Sequence, residues 1–360
     1  MIVKKQLQSL HAYQPGKSIE DVKKEYGLDG IAKLASNENP YGCSPKVKDA
    51  LTMAECSSYA VYPDGASALL REKVAQFHGV HPDQLVFTSG LDELIQILSR
   101  ALLDHETNTV MASPTFSQYR HHAVIEKAEI REIPLKDGIH DLSAMARATD
   151  EQTRIVWICN PNNPTGTYVN EQEFEQFMAS IPDSALVVLD EAYYEYVSAQ
   201  DYPDSIPLLD KYSNIIVMRT FSKAYGLAAF RIGYGISSAD FIRQLEVVRL
   251  PFNTSGLAQT AALAALDDKE FIKTCTEQNA RERARMEEFC LSRNLKHYST
   301  ETNFIYIDTG LTDSMDIFVS LIKKGFIVRP FPGAIRITIG TEEQNISLMR
   351  AMEEILLVHS

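Results

Sequence analysis

The sequence predicts an α/β fold whose large domain is built around a mostly parallel sheet flanked by helices. Between about residues 45 and 255, short apolar runs typical of buried strands alternate with segments of helical periodicity, which indicates βαβ units. Polar side chains directly follow several of these runs, at the sheet edge where α/β folds bind ligands. From about residue 265 a charged helical stretch precedes further strand-like runs, which predicts a smaller α+β domain.

The predicted elements begin with Ser18, which we expect to cap a short helix that ends at Tyr26. The first strand of the large sheet is predicted at Leu85–Thr88, because a short apolar run there precedes a segment of helical periodicity. Later strands are expected at 109–112, 155–159, 186–189, 215–218, 303–307, 326–328 and 335–339, with helices around 92–98 and 277–283.

The composition indicates an enzyme-sized globular protein and argues against several classes of partner. The 360 residues include 35 Lys plus Arg against 48 Asp plus Glu, and a net charge of −13 disfavours nucleic acid and anionic membranes. No apolar stretch approaches the roughly 20 residues that span a bilayer. The amino terminus has no signal-peptide core. The five cysteines lack CxxC spacing, which is typical of reduced thiols in a cytoplasmic protein.

Two patterns that suggest other ligands are incomplete. Gly16-Lys17-Ser18 resembles the end of a Walker A phosphate loop, but the position of its first glycine is His11. The histidines at 78, 81, 121 and 122 lack the spacing of a zinc site, so we predict no metal.

Lys223 is the strongest candidate for a catalytic residue. It lies in Thr-Phe-Ser-Lys-Ala-Tyr-Gly at 220–226, directly after the predicted strand at 215–218. A loop lysine on the surface is the ordinary explanation of such a residue, since lysines usually carry their charge into solvent. The two neighbouring hydroxyl residues and two further strand-end motifs favour a lysine that binds pyridoxal phosphate covalently.

The two further motifs supply an amide and a carboxylate. Asn163 lies in Asn-Pro-Asn-Asn-Pro-Thr-Gly, where two prolines and a glycine hold it just beyond the strand at 155–159, with its amide expected to be free to donate. Asp190 ends the next apolar run and faces the ligand crevice. A well-built turn and a helix N-cap are the ordinary explanations of these residues. Three such motifs in chain order are improbable as independent accidents.

With these motifs the chain resembles, over essentially its whole length, the aspartate-aminotransferase superfamily of fold-type I pyridoxal-phosphate enzymes. More narrowly, it is similar to the histidinol-phosphate aminotransferase family, whose signatures match residues 34–42, 62–65, 160–166, 220–234 and 336–340. The resemblance implies a sheet of seven strands. It also implies a pyridoxal-phosphate-binding domain at 43–262, a small domain at 263–360, and an N-terminal segment, 1–42, that packs with the small domain.

The resemblance further implies a role for each residue of the cofactor site. Lys223 would carry pyridoxal 5′-phosphate as a Schiff base and shuttle a proton, while Asp190 would keep the pyridine nitrogen protonated. Asn163 and Tyr193 would hydrogen-bond the ring hydroxyl, and Phe116 would stack on the ring. A helix start, which favours anions, and nearby side chains would bind the cofactor phosphate: Gly90, Leu91, Asp92, Thr220, Ser222 and Arg231.

Substrate binding and assembly are implied by residues far apart in the sequence. Arg336 lies in an Ile-Arg-Ile-Thr-Ile alternation that turns it away from the isoleucines, and Arg329 is a second arginine suited to bind anions. A surface salt bridge is the ordinary explanation of each. By resemblance, Tyr13 and Asn37 would line the same pocket. Tyr62 would reach the cofactor phosphate of the partner subunit, which predicts a homodimer with shared active sites.

The implied reaction is a ping-pong transamination in histidine biosynthesis. Histidinol phosphate and 2-oxoglutarate would give imidazole-acetol phosphate and glutamate. The alternatives are an aromatic amino acid aminotransferase, a decarboxylase of a phosphorylated amino acid, and a pyridoxal-phosphate-binding regulator without turnover. Lys223 and Asp190 weigh against the regulator, because a protein without turnover needs no proton shuttle.

Overall fold

A computed structural model of the chain describes residues 3–10, 18–28, 30–53, 59–310 and 314–359. The strands are β1 (Ala32–Lys33), β2 (Leu85–Thr88), β3 (Asn108–Ser113), β4 (Glu129–Pro134), β5 (Thr153–Cys159), β6 (Leu186–Asp190), β7 (Ile215–Thr220), β8 (Gly233–Ile236), β9 (Phe304–Asp308), β10 (Phe326–Ile327), β11 (Arg329–Phe331) and β12 (Ala334–Thr338). The helices are α1 (Ile19–Tyr26), α2 (Pro45–Met53), α3 (Ala68–His78), α4 (Leu91–Leu102), α5 (Ser117–Glu126), α6 (Leu142–Arg147), α7 (Glu171–Met178), α8 (Ser205–Lys211), α9 (Ala239–Leu245), α10 (Gly256–Leu266), α11 (Lys269–Ser292), α12 (Ser314–Lys323) and α13 (Glu342–His359).

The large sheet has seven strands in the order β2-β8-β7-β6-β5-β3-β4. The strands from β3 to β7 pair in parallel, whereas β8 runs antiparallel to both β7 and β2. The predicted fold class, a mostly parallel seven-stranded sheet flanked by helices, is confirmed. Cys159 pairs with Asp190 and Asp190 with Met218, so the carboxyl ends of β5, β6 and β7 lie side by side.

Helices cover both faces of this sheet, which explains why its central strands are largely apolar. On β5, Ile155 and Trp157 pack with α4 and α5 on one face, whereas Val156 and Ile158 pack with α6 and α7 on the other. Fully burying a side chain of this size stabilises the fold by about 1.5–3 kcal/mol. The large core therefore fixes the strand ends that carry the predicted site residues.

Strand β8 is absent from the sequence-based prediction, and its glycines explain why. Gly233 and Gly235 occupy two of its four positions, and glycine is depleted in strands. Their role is close packing: a Cβ at Gly235 would lie 2.9 Å from Cδ2 of Leu94 and 3.0 Å from Cδ1 of Ile216. Helix α4 can thus lie directly against the sheet near the site.

The carboxyl-terminal part contains a second, antiparallel sheet in the order β11-β12-β9, packed with α11, α12 and α13. The amino-terminal segment contacts this part, since β1 pairs with β10 and Leu34 joins the same hydrophobic core. These contacts support the domain division at 1–42, 43–262 and 263–360, which we retain as a proposal.

Helix α1 begins and ends where the sequence indicates. The Ser18 side chain accepts a hydrogen bond from the Asp21 amide at 3.0 Å, and Gly27 follows Tyr26 in the left-handed conformation. Of all the helices in the described residues, none is long and apolar enough to cross a membrane.

Candidate active site

A cavity of about 520 Å³ opens at the carboxyl ends of β5, β6 and β7. Parallel strands that end at one sheet edge bring their following residues together, which is why motifs distant in sequence meet here. Ten of the predicted site residues line this one cavity: Leu91, Asp92, Phe116, Asn163, Asp190, Tyr193, Thr220, Ser222, Lys223 and Arg231.

Asp190 is the buried carboxyl group of the site. Its Oδ2 accepts a hydrogen bond from the Tyr119 hydroxyl at 2.5 Å, and its Oδ1 accepts one from the Ala192 amide at 3.1 Å. Burial raises the pKa of Asp190 to about 6, and the two hydrogen bonds oppose that rise because they stabilise the carboxylate. Near neutral pH the site therefore presents a negative charge to its ligand.

Lys223 lies just beyond β7 and provides the amine of the site. Its Nζ donates to the Ser36 carbonyl at 3.3 Å and lies 5.7 Å from the centre of the Tyr193 ring. Burial, helped by the positive charges of Arg336 and Arg231 and opposed by the carboxylates of Glu38 and Asp92, lowers the pKa of Lys223 to about 8. An appreciable fraction of this amine is thus neutral near physiological pH, as a nucleophile or general base requires.

Asn163 and Tyr193 belong to a connected polar cluster. The Tyr193 hydroxyl accepts hydrogen bonds from Nδ2 of Asn37 at 2.9 Å and from Nδ2 of Asn163 at 3.4 Å. Arg336 donates to Oδ1 of Asn163 and, at 2.9 Å, to the Ala35 carbonyl. The Asn163 amide is therefore already engaged with Tyr193 and Arg336, whereas the sequence predicted an amide free to donate. Asn37 is buried beside Tyr193.

The residues predicted to bind phosphate surround the start of α4. Gly90 precedes this helix with a φ of +75°, and a Cβ there would lie 2.5 Å from Nη2 of Arg231. Arg231 also approaches the Asp92 carboxylate at 3.6 Å. Thr220 and Ser222 line the same cavity. The start of a helix, two hydroxyls and a guanidinium together provide the kinds of donor that bind an anion.

The aromatic wall comes from Phe116, which directly precedes α5. Its ring packs edge-on against Tyr119, with ring centroids 5.6 Å apart. This contact fixes the orientation of the Phe116 ring at the cavity surface.

Tyr62 and Arg329 are not among the residues that line the cavity. The Tyr62 side chain is 79% exposed and stacks on Phe252, with ring centroids 4.6 Å apart. Arg329 lies on β11 directly opposite Arg336 on β12. Tyr13 lies outside the described residues.

Several residues of the site were missed by the sequence analysis. Tyr119 lies three positions after Phe116, a spacing that places both on one helical face, but nothing in the sequence pairs it with Asp190. Tyr119 does not line the cavity itself, but six further residues that do were missed: Ser36, Glu38, Gln118, Cys159, Ala192 and Ala228. Burial raises the pKa of the Cys159 thiol to about 12, so this cysteine stays protonated.

Comparison with known proteins identifies the family. Residues 29–352 match the model of the family described as aminotransferase class I and II. The chain belongs to this aminotransferase family. The predicted family and the predicted enzyme class are thereby confirmed.

The most informative relatives of this aminotransferase cover nearly the whole chain. A histidinol-phosphate aminotransferase from Geobacillus sp. (strain WCH70) is 57% identical over 99% of the chain and 98% of its own length. One from Bacillus cytotoxicus is 56% identical over 100% of the chain and 98% of its own length. A crystal structure of histidinol-phosphate aminotransferase from Sinorhizobium meliloti in complex with pyridoxal 5′-phosphate has a TM-score of 0.91 and 27% identity, covering 99% of this chain and 98% of that one.

The residues of this aminotransferase fit pyridoxal phosphate. The partly neutral amine of Lys223 can react with the aldehyde of the cofactor, and the buried carboxylate of Asp190 can pair with its pyridine nitrogen. The anion site at the start of α4 can bind its phosphate. Gly90 adds a geometric observation: with a φ of +75° and no Cβ, it lets the Arg231 guanidinium lie against the start of α4.

Proposed function

We propose that this chain is a pyridoxal-phosphate-dependent aminotransferase that transfers an amino group between histidinol phosphate and 2-oxoglutarate, in histidine biosynthesis. One observation carries the proposal: Lys223, with a pKa lowered to about 8, and the buried Asp190 line one cavity. Identity of 57% to a histidinol-phosphate aminotransferase over 99% of the chain supports the choice of substrate.

The cofactor would be held at several points by side chains of this cavity. Lys223 would attach it through its amine, and Asp190 would bind its ring nitrogen. When bound, pyridoxal phosphate supplies an electron sink that stabilises the carbanion formed when the substrate Cα loses its proton. The remaining contacts would come from Phe116 on the ring, Asn163 and Tyr193 on the ring hydroxyl, and Gly90, Leu91, Asp92, Thr220, Ser222 and Arg231 on the phosphate.

Proton transfer in this proposal is carried out by the Lys223 amine. Once free of the cofactor, its neutral form would accept the proton from the substrate Cα and deliver it to the aldehyde carbon of the cofactor. The depressed pKa of Lys223 makes this form available near neutral pH. Asp190, ionised above a pH of about 6, holds a proton on the ring nitrogen by charge pairing.

Arg336 and Arg329 are proposed to bind the anionic groups of the substrates, because a guanidinium binds carboxylate or phosphate bidentately. Arg336 is buried beside Asn163, and Arg329 neighbours it across the β11–β12 ladder. Asn37 and Tyr13 are proposed to complete the same pocket.

Substitution of the two arginines should have different effects. We expect Arg336→Ala to weaken both half-reactions, mainly through binding, by roughly 10²-fold in kcat/KM. Arg329→Ala should impair histidinol phosphate more than phenylalanine, because only the former carries a phosphate. Steady-state kinetics with both amino donors measures this difference. Equal losses for the two donors would show that Arg329 does not bind the phosphate and would favour an aromatic aminotransferase.

We also propose that the active enzyme is a homodimer with shared sites. Segments 61–69 and 247–252 meet through Tyr62 and Phe252 and expose apolar side chains: Val61 69%, Tyr62 79%, Leu69 75%, Val247 85% and Leu250 65%. Exposed apolar side chains on two segments in contact suit a protein interface. A second copy is the proposed occupant, since Tyr62 does not line the cavity of its own chain and would serve the cavity of the partner.

Mixed dimers test the shared site. Lys223→Ala and Tyr62→Phe subunits, each weak or inactive alone, should regain activity after they are dissociated and mixed, because one of the two sites in a mixed dimer is intact. The expected recovery is about one quarter of the parental activity, because half of randomly paired dimers are mixed and each carries one intact site of two. Mixed dimers that form but stay inactive would contradict a shared site.

A substrate panel tests the proposed reaction. Histidinol phosphate, phenylalanine, tyrosine and aspartate are each offered with 2-oxoglutarate, and glutamate is measured. We expect histidinol phosphate to have the highest kcat/KM. A preference for phenylalanine or tyrosine would indicate an aromatic aminotransferase. Release of carbon dioxide would indicate a decarboxylase, and absence of turnover with every donor would indicate a regulator.

The proposed location is the cytoplasm. Each of the cysteines at 43, 159, 275 and 290 is a free thiol, which suits a reducing compartment.

A further inference from the structure

Tyr119 is a fully buried tyrosine whose hydroxyl meets the carboxylate of the site. It donates to Oδ2 of Asp190 at 2.5 Å, while the Ala192 amide donates to Oδ1. Two hydrogen bonds on different oxygens fix both the position and the plane of a carboxylate. The Ala192 amide is part of the chain that follows β6, whereas Tyr119 reaches Asp190 from α5.

The Tyr119 ring is itself held in place. It stacks on the indole of Trp157, with centroids 4.6 Å apart and planes at 11°, and Nε1 of Trp157 donates to Thr109 Oγ1 at 2.9 Å. Phe116 also packs against the Tyr119 ring, with the two rings nearly perpendicular. Contacts from β3, β5 and the residue before α5 therefore hold the ring where its hydroxyl meets Asp190.

We propose that Tyr119 is a positioning residue that keeps the Asp190 carboxylate ionised and oriented toward the cavity. The proposal rests on the function proposed above, in which Asp190 binds the ring nitrogen of the cofactor. Tyr119 itself does not line the cavity as described, so it would act through Asp190 alone.

The electrostatics of the pair support this role. Burial opposes the charge of Asp190, and a hydrogen bond to an ionised acceptor is among the stronger ones in proteins. The pKa of Tyr119 is raised well above its usual range by burial and by Asp190, so its hydroxyl stays a donor throughout the working pH range. The titratable groups that face Asp190 are Tyr119 from α5, Cys159 from β5, Asp92 from α4, and Glu191 and Tyr193 after β6.

The test measures the Asp190 carboxyl group in the cofactor-free protein. Carbon-13 NMR of protein labelled at aspartate follows its titration, and Asp190→Asn identifies its signal. With a hydrogen bond to a charged group worth about 1.5–3 kcal/mol, Tyr119→Phe should raise the pKa of Asp190 by about one to two pH units. Because no cofactor or substrate is present, this result does not depend on which reaction the enzyme catalyses.

Tyr234→Phe is the matched control. Tyr234 is also buried in this sheet, and its hydroxyl lies 2.8 Å from Nε2 of His78. The phenylalanine variant therefore loses one buried hydrogen bond, as Tyr119→Phe does, but this bond does not involve Asp190. We expect it to leave the Asp190 titration unchanged. An unchanged titration in Tyr119→Phe, or an equal shift in both variants, would overturn the proposal and leave Tyr119 a packing residue.

Site-specific 3-fluorotyrosine at position 119 provides a second variant that preserves the ring and its packing. Its hydroxyl is a stronger donor, so the Asp190 titration should shift to lower pH, opposite to the effect of phenylalanine. A shift in the same direction for both substitutions would overturn the proposal. In the holoenzyme, Tyr119→Phe should also weaken cofactor affinity by about tenfold. A tenfold loss of affinity corresponds to the same free energy as a shift of about one pH unit in the Asp190 titration.

Discussion

Replacing Lys223 by alanine is expected to abolish transamination, with a loss of at least about 10⁴-fold in kcat, while the protein remains folded. Lys223 supplies the only primary amine among the described residues that line the cavity, and its pKa is lowered to about 8. Alanine removes both the attachment point for the cofactor and the proton acceptor. The measurement is the rate of glutamate formation from histidinol phosphate and 2-oxoglutarate, with the unfolding transition recorded in parallel.

Two lysine variants separate charge from reactivity. Lys223→Arg keeps a positive charge but cannot lose its proton near neutral pH, so it should be as inactive as alanine. Lys211→Ala removes an exposed lysine that pairs with Glu175 on the surface, and it should retain activity close to that of the parent. Turnover near the parental rate in Lys223→Ala would remove this residue from the mechanism.

Asparagine at position 190 is expected to lower kcat by roughly 10²- to 10⁴-fold. The substitution preserves shape, and the Ala192 amide can still donate to the asparagine Oδ1 while the Tyr119 hydroxyl accepts from its Nδ2. It removes the negative charge that would hold a proton on the ring nitrogen. Cofactor should still bind through Lys223 and the anion site, so absorbance should show a loaded enzyme that turns over slowly.

Glu191→Gln is a useful contrast because it alters the adjacent buried carboxylate. Glu191 pairs with the buried Arg219 at 2.8 Å and does not line the cavity as described. Its substitution leaves a buried cation less compensated, so it should lower the free energy of unfolding by about 3–5 kcal/mol rather than act on the chemistry. A kcat for Asp190→Asn within a few-fold of the parent would contradict the role given to Asp190.

Sequence reasoning succeeded where the fold itself imposes proximity. Asn163, Asp190 and Lys223 each follow a continuously apolar strand, and parallel strands end at one edge, so finding the strands was enough to bring the three together. A different pattern predicted the orientation of Arg336: alternation along β12 turns its isoleucine neighbours into the core and Arg336 toward Asn163.

The contacts that sequence reasoning missed depend on tertiary packing. Tyr119 reaches Asp190 because of how α5 packs on the sheet, and no local sequence pattern shows that two residues 71 positions apart will meet. Asn37 meets Tyr193 only because the amino-terminal segment folds back across more than 150 residues of chain to the site. Strand β8 was not predicted because its glycines, which allow close packing against α4, are depleted in strands.

The most direct test of the proposed chemistry is a single half-reaction. Cofactor-loaded enzyme is mixed with histidinol phosphate in the absence of 2-oxoglutarate, and the product and the absorbance of the cofactor are followed together. We expect one imidazole-acetol phosphate per active site, an absorbance change to the amine form of the cofactor, and reversal on addition of 2-oxoglutarate. An unchanged spectrum with no product, or carbon dioxide released in its place, would contradict it.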